Sequence, residues 1–205
     1  AHPDDIEIFM YGFLCCCKKI GYEIAIIVAT DGSLGGYNDD NKLVEKRKKE
    51  TQDGLNKLDV PLFLGLPDGS LGDKNAHSNI IKNSIQKVNP DLIVTHYYKD
   101  YHSDHINLSK IVKTVAGHYT PILYCDTMMG INFLPNYYVD ITKFMNDKIN
   151  SISCHKTQKP ERFINLVKLM NEYRSAQCKA PKGNYAEAFF FEPSFPFSEI
   201  ETFYQ

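Results

Sequence analysis

The chain has 205 residues, of which 43% are hydrophobic and 23% charged, and this balance is typical of a single globular domain spanning 1–205. A formal net charge of −2 offers no basic surface for nucleic acid or an anionic membrane, so we expect neither as a partner. The longest apolar run, residues 11–17, is too short to span a bilayer. Six cysteines without C-x-x-C spacing indicate thiols in a reducing cytoplasm.

Strand-like and helix-like runs alternate along the chain, which predicts an α/β fold with a mostly parallel sheet. Apolar residues at helical spacing predict a helix over 6–20, which Gly21 ends. The β-branched run 22–30 has the composition of a buried parallel strand. The later predictions are, in order, a glycine-rich loop at 31–37, a helix at 42–58, a strand at 62–66, a loop at 67–70, a helix at 77–88, a strand at 91–96, a loop at 97–104, a helix to 117, strands at 122–125 and 137–141, helices at 143–155 and 161–174, and a strand at 185–191.

The polar and glycine-rich segments of the chain follow directly after predicted strands. In an open parallel sheet, ligands bind at the edge where the strands end. We therefore expect the loops 31–37, 67–70 and 97–104 to meet at one edge. The first residues, Ala1-His-Pro3, have the composition of another loop at that edge, so we also expect a strand upstream that the given sequence lacks.

Two short motifs combine histidine with aspartate, His2-Pro-Asp-Asp5 and His102-Ser-Asp-His105. Adjacent aspartates repel each other unless a cation or strong donors neutralise one of them. His2, Asp5 and His105 would form a set of two histidines and one carboxylate that leaves positions for water and substrate, as in catalytic zinc sites, and Fe(II) suits the same set. Taken alone, the first motif is explained as well by aspartates that cap a helix.

The segments Ala1-His-Pro-Asp-Asp5 and Tyr101-His-Ser-Asp-His105 together resemble the PIG-L/LmbE-like deacetylases, a family of zinc-dependent enzymes that act on N-acetylated sugars. The resemblance covers nearly the whole chain and implies a three-layer, Rossmann-like α/β fold, here without its first strand. Weaker matches lie at Thr30-Asp-Gly-Ser33, Arg47 with Glu50, Leu66-Pro-Asp68, Tyr138-Val-Asp-Ile-Thr142, His155-Lys-Thr-Gln158 and Tyr185-Ala-Glu-Ala-Phe189. The chain departs from the family at Ser103, where proline is usual, and at Phe9 and Met10, where small residues are usual.

The resemblance implies a role for each residue that matches a family motif. The matches are His2, Asp5 and His105 to the zinc ligands, Asp4 to the general base, His102 to the histidine that stabilises the tetrahedral intermediate, and Asp104 to the carboxylate that orients that histidine. Arg47 matches an arginine that contacts substrate, although the lysine-rich run 46–49 suggests a solvated arginine instead. Asp68 follows a predicted strand, where it either binds sugar hydroxyls or caps a turn.

The function that these matches imply is zinc-dependent hydrolysis of the acetamide on a small-molecule, GlcNAc-type sugar or sugar conjugate. Metal-dependent amide hydrolysis of another small molecule is the alternative within enzymes. A sugar-binding protein without turnover is the alternative outside them, but binding alone does not need Asp4, His102 and Asp104. The sequence leaves open whether chains associate into a homo-oligomer.

Overall fold

The computed structural model describes residues 1–36, 41–72, 75–178 and 183–193. The helices of this part are α1 (Asp5–Phe9), α2 (Tyr11–Lys19), α3 (Leu43–Gly54), α4 (Asn75–Val88), α5 (Ser103–Ala116), α6 (Met145–Ile152) and α7 (Glu161–Gln177). Its strands are β1 (Ile27–Thr30), β2 (Leu62–Leu66), β3 (Ile93–Thr95), β4 (Ile122–Cys125), β5 (Tyr137–Asp140) and β6 (Ala186–Glu192). The predicted α/β fold is confirmed. Tyr37, which ends the predicted glycine-rich loop, lies outside the described residues.

The predicted helix over 6–20 is two helices, because the backbone leaves the helical region at Met10 (φ −144°, ψ 6°). In the first turn of α2, the amides of Gly12 and Phe13 donate to the Glu187 carboxylate at 2.9 and 2.7 Å. The first amides of a helix lack partners within the helix, so a carboxylate at this position stabilises a new helix start. The apolar spacing continues across Met10 and therefore cannot reveal the break.

Of the predicted strand over 22–30, only the last residues, which form β1, pair with another strand. This strand runs parallel to β2 with Ile27 opposite Leu62, and the Leu62 amide donates to the Ile26 carbonyl at 2.8 Å. Because β2 begins at Leu62, the ladder begins there too. Residues 22–26 are described by the structure but belong to no strand.

The strands form a parallel pair, β1 with β2, and a mixed sheet in the order β3-β4-β6-β5. In the mixed sheet β3 and β4 are parallel, while β6 is antiparallel to both β4 and β5. The strands that precede the predicted site loops are thus the parallel ones, as expected, and the antiparallel pairings come from the end of the chain.

Helices cover both faces of the mixed sheet. Successive residues of a strand face opposite sides. Leu123 and Cys125 of β4 pack in one core cluster with residues of α1, α2, α6 and α7. Their neighbours Ile122 and Tyr124 pack in another cluster with Val112 of α5. The expected three-layer arrangement is therefore present.

The loops that follow the parallel strands converge on the N-terminal loop. The Thr30 amide at the end of β1 donates to the Ala1 carbonyl at 2.9 Å, and the Asp31 amide donates to the carbonyl of Leu66, at the end of β2, at 2.9 Å. His96, directly after β3, lies 3.2 Å from the Asp5 carboxylate. No helix of the described residues has the length and apolar character needed to cross a bilayer.

Candidate active site

The predicted metal ligands bring two ring nitrogens close to each other and to the two oxygens of one carboxylate. His2 Nδ1 lies 3.2 Å from Asp5 Oδ2, His105 Nε2 lies 3.2 Å from Asp5 Oδ1, and the two ring nitrogens are 3.3 Å apart. Ligand atoms about 2.0–2.1 Å from a tetrahedral zinc ion are separated by roughly 3.3–3.4 Å. Each of these three distances therefore matches the separation of two ligand atoms on a zinc ion, although Asp5 turns a different oxygen to each ring, and all three residues are buried.

Carboxylates behind the two rings determine which nitrogen of each carries the proton. His105 Nδ1 lies 3.0 Å from Asp100 Oδ2, and His2 Nε2 lies 3.1 Å from Asp68 Oδ1 and 3.3 Å from Asp104 Oδ2. A carboxylate only accepts hydrogen bonds. His2 Nδ1 and His105 Nε2 also face a carboxylate, that of Asp5, so the proton of each neutral ring lies on the opposite nitrogen when a cation occupies Asp5. The other two nitrogens then present lone pairs to each other across 3.3 Å, an arrangement that a cation between them stabilises.

The candidate centre is rich in buried negative charge. Burial lowers the pKa of His2, but the Asp5 carboxylate and the hydrogen bonds to Asp104, Asp5 and Asp68 outweigh it and raise the pKa to about 11. Burial raises the pKa of Asp5, yet His105 and the neighbouring cationic groups hold it well below its ordinary value. Protons on the ring nitrogens thus compensate the same negative charge that a bound metal cation would compensate.

Other groupings of donor atoms overlap the predicted set. The atoms of His2, His102 and His105 lie within 4.8 Å of one another, as do those of Asp5, His96 and His105. The same holds for His2 with Asp68 and Asp104. His2 and His105 each belong to two of these groupings and Asp5 belongs to one. The assignment of these three residues as the ligand set stays a prediction.

Asp4 has a strained backbone and a buried carboxylate. Its φ of 122° lies in a region that non-glycine residues rarely adopt, at a cost of about 1–3 kcal/mol, and such strain persists only where surrounding contacts enforce it. Burial raises the pKa of the Asp4 carboxyl to about 6, against the opposing effect of Arg47. A carboxyl with a pKa near neutral is suited to accept a proton and return it.

Arg47 supplies the contacts that hold Asp4 in place. It is 3% exposed, and its Nη2 donates to the Pro3 carbonyl at 2.6 Å and to Asp4 Oδ2 at 3.1 Å. Its Nη1 donates to the Gly32 carbonyl at 2.8 Å, and a Cβ on Gly32 would lie 2.6 Å from that atom. A Cβ on Gly35 would also clash with it. The alternative of a solvated arginine is wrong, and the contact with substrate stays a prediction.

His102 is half-buried beside both predicted histidine ligands, with its ring centroid 4.6 Å from that of His2 and 4.7 Å from that of His105. It caps the start of α5, where its Nδ1 accepts the Asp104 amide at 3.3 Å. Burial, together with His105 and His2, lowers the pKa of His102. The neutral ring therefore carries its proton on Nε2, which leaves one donor for a developing oxyanion.

Asp104 is fully buried, and its carboxylate is directed at the His2 side of the centre. It accepts the amides of Gly69 at 2.8 Å and Leu71 at 3.2 Å, and it lies 3.3 Å from His2 Nε2. Burial raises its pKa, but His2 and the two amides outweigh this and lower the pKa to about 2. The contact with His102 comes from the Asp104 backbone, so the orientation of His102 by this carboxylate stays a prediction.

Asp68 lies beside the same ring and touches the glycine-rich loop. Its Oδ2 accepts the Leu34 amide at 3.0 Å, while Oδ1 lies 3.1 Å from His2 Nε2. Burial raises the pKa of Asp68, but the hydrogen bond and charge of His2 lower it overall. These contacts fix the glycine-rich loop to the centre, and the predicted bonds to sugar hydroxyls remain a prediction.

Three residues of the centre were not among the predicted site residues. His96 stacks on His105 with ring centroids 3.7 Å apart, and Phe9 meets the His105 ring edge-on at 6.1 Å. The Asp100 carboxylate contacts Nδ1 of His105. Asp100 is two residues from His102 in a loop that follows a strand, so its position was the available signal. Phe9, a departure from the family pattern, packs against the site from α1.

Comparison with known proteins gives a family and a fold. The family model described as "PIG-L: GlcNAc-PI de-N-acetylase" matches residues 1–116. The conserved protein TT1542 from Thermus thermophilus is 22% identical over 100% of this chain and 95% of its own, with a TM-score of 0.80. The N,N'-diacetylchitobiose deacetylase from Pyrococcus horikoshii is 21% identical over 94% of this chain and 81% of its own, with a TM-score of 0.78.

A hydratase has the same fold as these proteins. GalB, the 4-carboxy-2-hydroxymuconate hydratase from Pseudomonas putida, is 18% identical over 93% of this chain and 92% of its own, with a TM-score of 0.78. At these identities the solved structures establish the fold and no more. The reaction must be argued from the side chains of the site.

Proposed function

The chain belongs to the GlcNAc-PI de-N-acetylase (PIG-L) family, and from that premise we propose that it is a metal-dependent hydrolase that removes the N-acetyl group from a small GlcNAc-type sugar or sugar conjugate. The observation that carries the proposal is the convergence of His2 Nδ1, Asp5 and His105 Nε2 within 3.2–3.3 Å, with the Asp4 carboxyl one residue away from Asp5.

The donor set of two imidazoles and one carboxylate suits zinc, and Fe(II) is the second choice. A divalent ion bound there supplies a Lewis acid that polarises the amide carbonyl and lowers the pKa of water toward about 7. His2, Asp5 and His105 would hold it.

The remaining residues act on the proton and on the developing charge. Asp4 accepts the proton of the attacking water as the carbon–oxygen bond forms, then returns it to the amine nitrogen as the carbon–nitrogen bond breaks and acetate leaves. Arg47 holds the Asp4 carboxylate in position through the contact at 3.1 Å. The Nε2 proton of His102 donates to the carbonyl oxygen as it gains charge, and one such donor is worth about 3–4 kcal/mol.

The experiment measures metal content and turnover on the same preparations of protein. Wild-type chain purified without chelator is expected to hold one divalent ion, and His105→Ala to lose it, while His77→Ala keeps it as the control for loss of a buried histidine. Asp4→Asn is expected to keep the metal and the melting temperature but to lose at least about 10²-fold in turnover of GlcNAc conjugates, measured as free amine.

Each outcome tests a different part of the proposal. Equal metal content in wild type and His105→Ala would contradict the ligand set, and turnover of Asp4→Asn within a few-fold of wild type would contradict its role as base. Turnover only of acetamides that lack a sugar would indicate an amidase for another small molecule. Tight sugar binding without any released amine would indicate a binding protein.

A further inference from the structure

We propose that Asp100 is the positioning residue that makes His105 present Nε2, and not Nδ1, to the metal centre. This inference rests on the proposed function, because it concerns a ligand of the proposed metal. Asp100 lies in the loop that follows β3, and it precedes His102 and α5 in the chain. It is buried although it lies in a loop.

The Asp100 carboxylate is fixed at both oxygens. Its Oδ1 accepts the His102 amide at 3.0 Å, its Oδ2 lies 3.0 Å from His105 Nδ1, and its own amide donates to the Tyr97 carbonyl at 3.1 Å. Because backbone contacts hold the loop and one oxygen, the second oxygen has a defined position beside the His105 ring. A group placed in this way selects one orientation of that ring.

The rings around His105 restrict its plane but not its tautomer. His96 stacks on one side with centroids 3.7 Å apart and an interplanar angle of 11°, and His102 lies at 4.7 Å and 26°. Stacking allows the proton on either nitrogen and allows the ring to turn over in its own plane. His105 Nε2 also faces a carboxylate, Asp5 at 3.2 Å, but Asp5 is a predicted metal ligand. With the metal bound, Asp100 is the carboxylate that accepts the ring proton, and it keeps that proton on Nδ1.

The two predicted histidine ligands differ in how they are supported. His2 Nε2 has two carboxylates within reach, Asp68 at 3.1 Å and Asp104 at 3.3 Å. For His105 Nδ1, the contacts of the described residues include one carboxylate, Asp100. Loss of that single carboxylate should therefore weaken metal binding more clearly than loss of either partner of His2.

The test is the zinc affinity of Asp100→Asn, measured by competition with a chelator of known affinity. Asparagine keeps the size of the side chain, but its amide can donate to Nδ1 and so favours the wrong tautomer. The affinity is expected to fall about 10–100-fold, as is typical when the carboxylate behind a histidine ligand is lost. Asp126→Asn is the matched control, because Asp126 is buried directly after the neighbouring strand β4 and pairs with Arg174. It should keep the wild-type zinc affinity.

A second measurement needs no variant. In zinc-loaded wild-type protein, the nitrogen NMR shifts of His105 should show a protonated Nδ1 and an unprotonated Nε2, and the reverse would overturn the inference even if Asp100→Asn failed to fold. Zinc affinity of Asp100→Asn equal to wild type, or an equal loss in Asp126→Asn, would overturn it while the metal site stands. Wild-type protein that binds no zinc would instead overturn the proposed function and this inference with it.

Discussion

Two buried regions of the molecule neutralise their carboxylates in different ways. In the core, Lys148 Nζ lies 2.6 Å from Glu187 Oε1, and the Arg174 guanidinium meets Asp126 at 2.6 and 3.0 Å. These core pairs match each carboxylate with a permanent cation. At the sheet edge, the site cluster contains five buried or half-buried aspartates. Asp4 contacts Arg47. The other four contact histidines, and they are Asp5, Asp68, Asp100 and Asp104.

The difference indicates what each region does. A lysine or arginine beside a buried carboxylate completes a pair, and the pair then serves the fold. A histidine carries a charge only when protonated, so a cluster neutralised by histidines can exchange its protons for a metal cation. The identity of the cation that faces a buried aspartate is therefore more informative about function than burial itself.

The largest expected effect tests the core pairs. Lys148→Met keeps the length of the side chain but leaves Glu187 buried and charged, so we expect the free energy of unfolding to fall by about 3–5 kcal/mol in urea denaturation. Glu187 still accepts the amides of Gly12 and Phe13, and these hydrogen bonds offset part of the cost of the unpaired charge. Metal content and turnover of the folded fraction should not change.

The double variant Lys148→Met with Glu187→Gln is the control for that experiment. It removes the unpaired charge and keeps an acceptor for α2, so part of the stability should return. A Lys148→Met protein with wild-type stability and reduced metal content would contradict the separation of the two regions.

A smaller effect is expected at the one arginine of the site cluster. Arg47→Lys keeps the charge, but an ammonium cannot reproduce the planar fork that joins Pro3, Asp4 and Gly32. We expect turnover to fall by about 10²-fold, because a displaced base loses its alignment with the reacting atoms. Steady-state kinetics should assign the loss to kcat more than to KM.

Arg174→Lys is the matched control, since Arg174 is also 3% exposed, also pairs with an aspartate, and also lies against a glycine, Gly130. It should lose stability while its turnover stays within a few-fold of wild type. Equal losses of turnover in both variants would mean that Arg47 serves the fold in the same way as the core arginine.

The sequence predicts the elements of this fold better than it predicts how they are joined. Periodicity gave the strands at 62–66 and 122–125 with the observed bounds. It missed the break at Met10, after which the new helix start is capped by Glu187, 175 residues from Gly12. Local patterns contain no information about a cap supplied from the other end of the chain.

The sequence likewise predicts the residues of the candidate site better than it predicts their orientation. Its residues cluster in two short motifs, so the motifs gave His2, Asp4, Asp5 and the 102–105 segment together. The motifs could not give the orientation of each ring, because that depends on Asp100 and other contacts between separate loops. Arg47 lies in a run of lysines, and only the fold reveals that its side chain is buried.

The smallest expected effect concerns a buried pair that combines features of both regions, His155 with Glu7. The pair lies in the core beneath the site, with His155 Nε2 2.8 Å from Glu7 Oε1, yet its cation is a histidine. Burial lowers the pKa of His155, but the Glu7 carboxylate outweighs this and the pKa is raised overall. A raised pKa in the folded state means that the pair's contribution to stability is fully present below about pH 6.5, the unfolded value, and is lost as the pH rises through the folded pKa. We expect the free energy of unfolding of zinc-loaded wild type, minus that of His155→Gln, to fall as the pH is raised from about 6 to about 9. The subtraction removes other titrating groups, since glutamine can still donate to Glu7 but carries no charge. A constant difference over this range would mean that folding leaves the pKa of His155 unchanged, and a rising difference would mean that the ring is neutral in the folded protein. Either result would contradict the prediction.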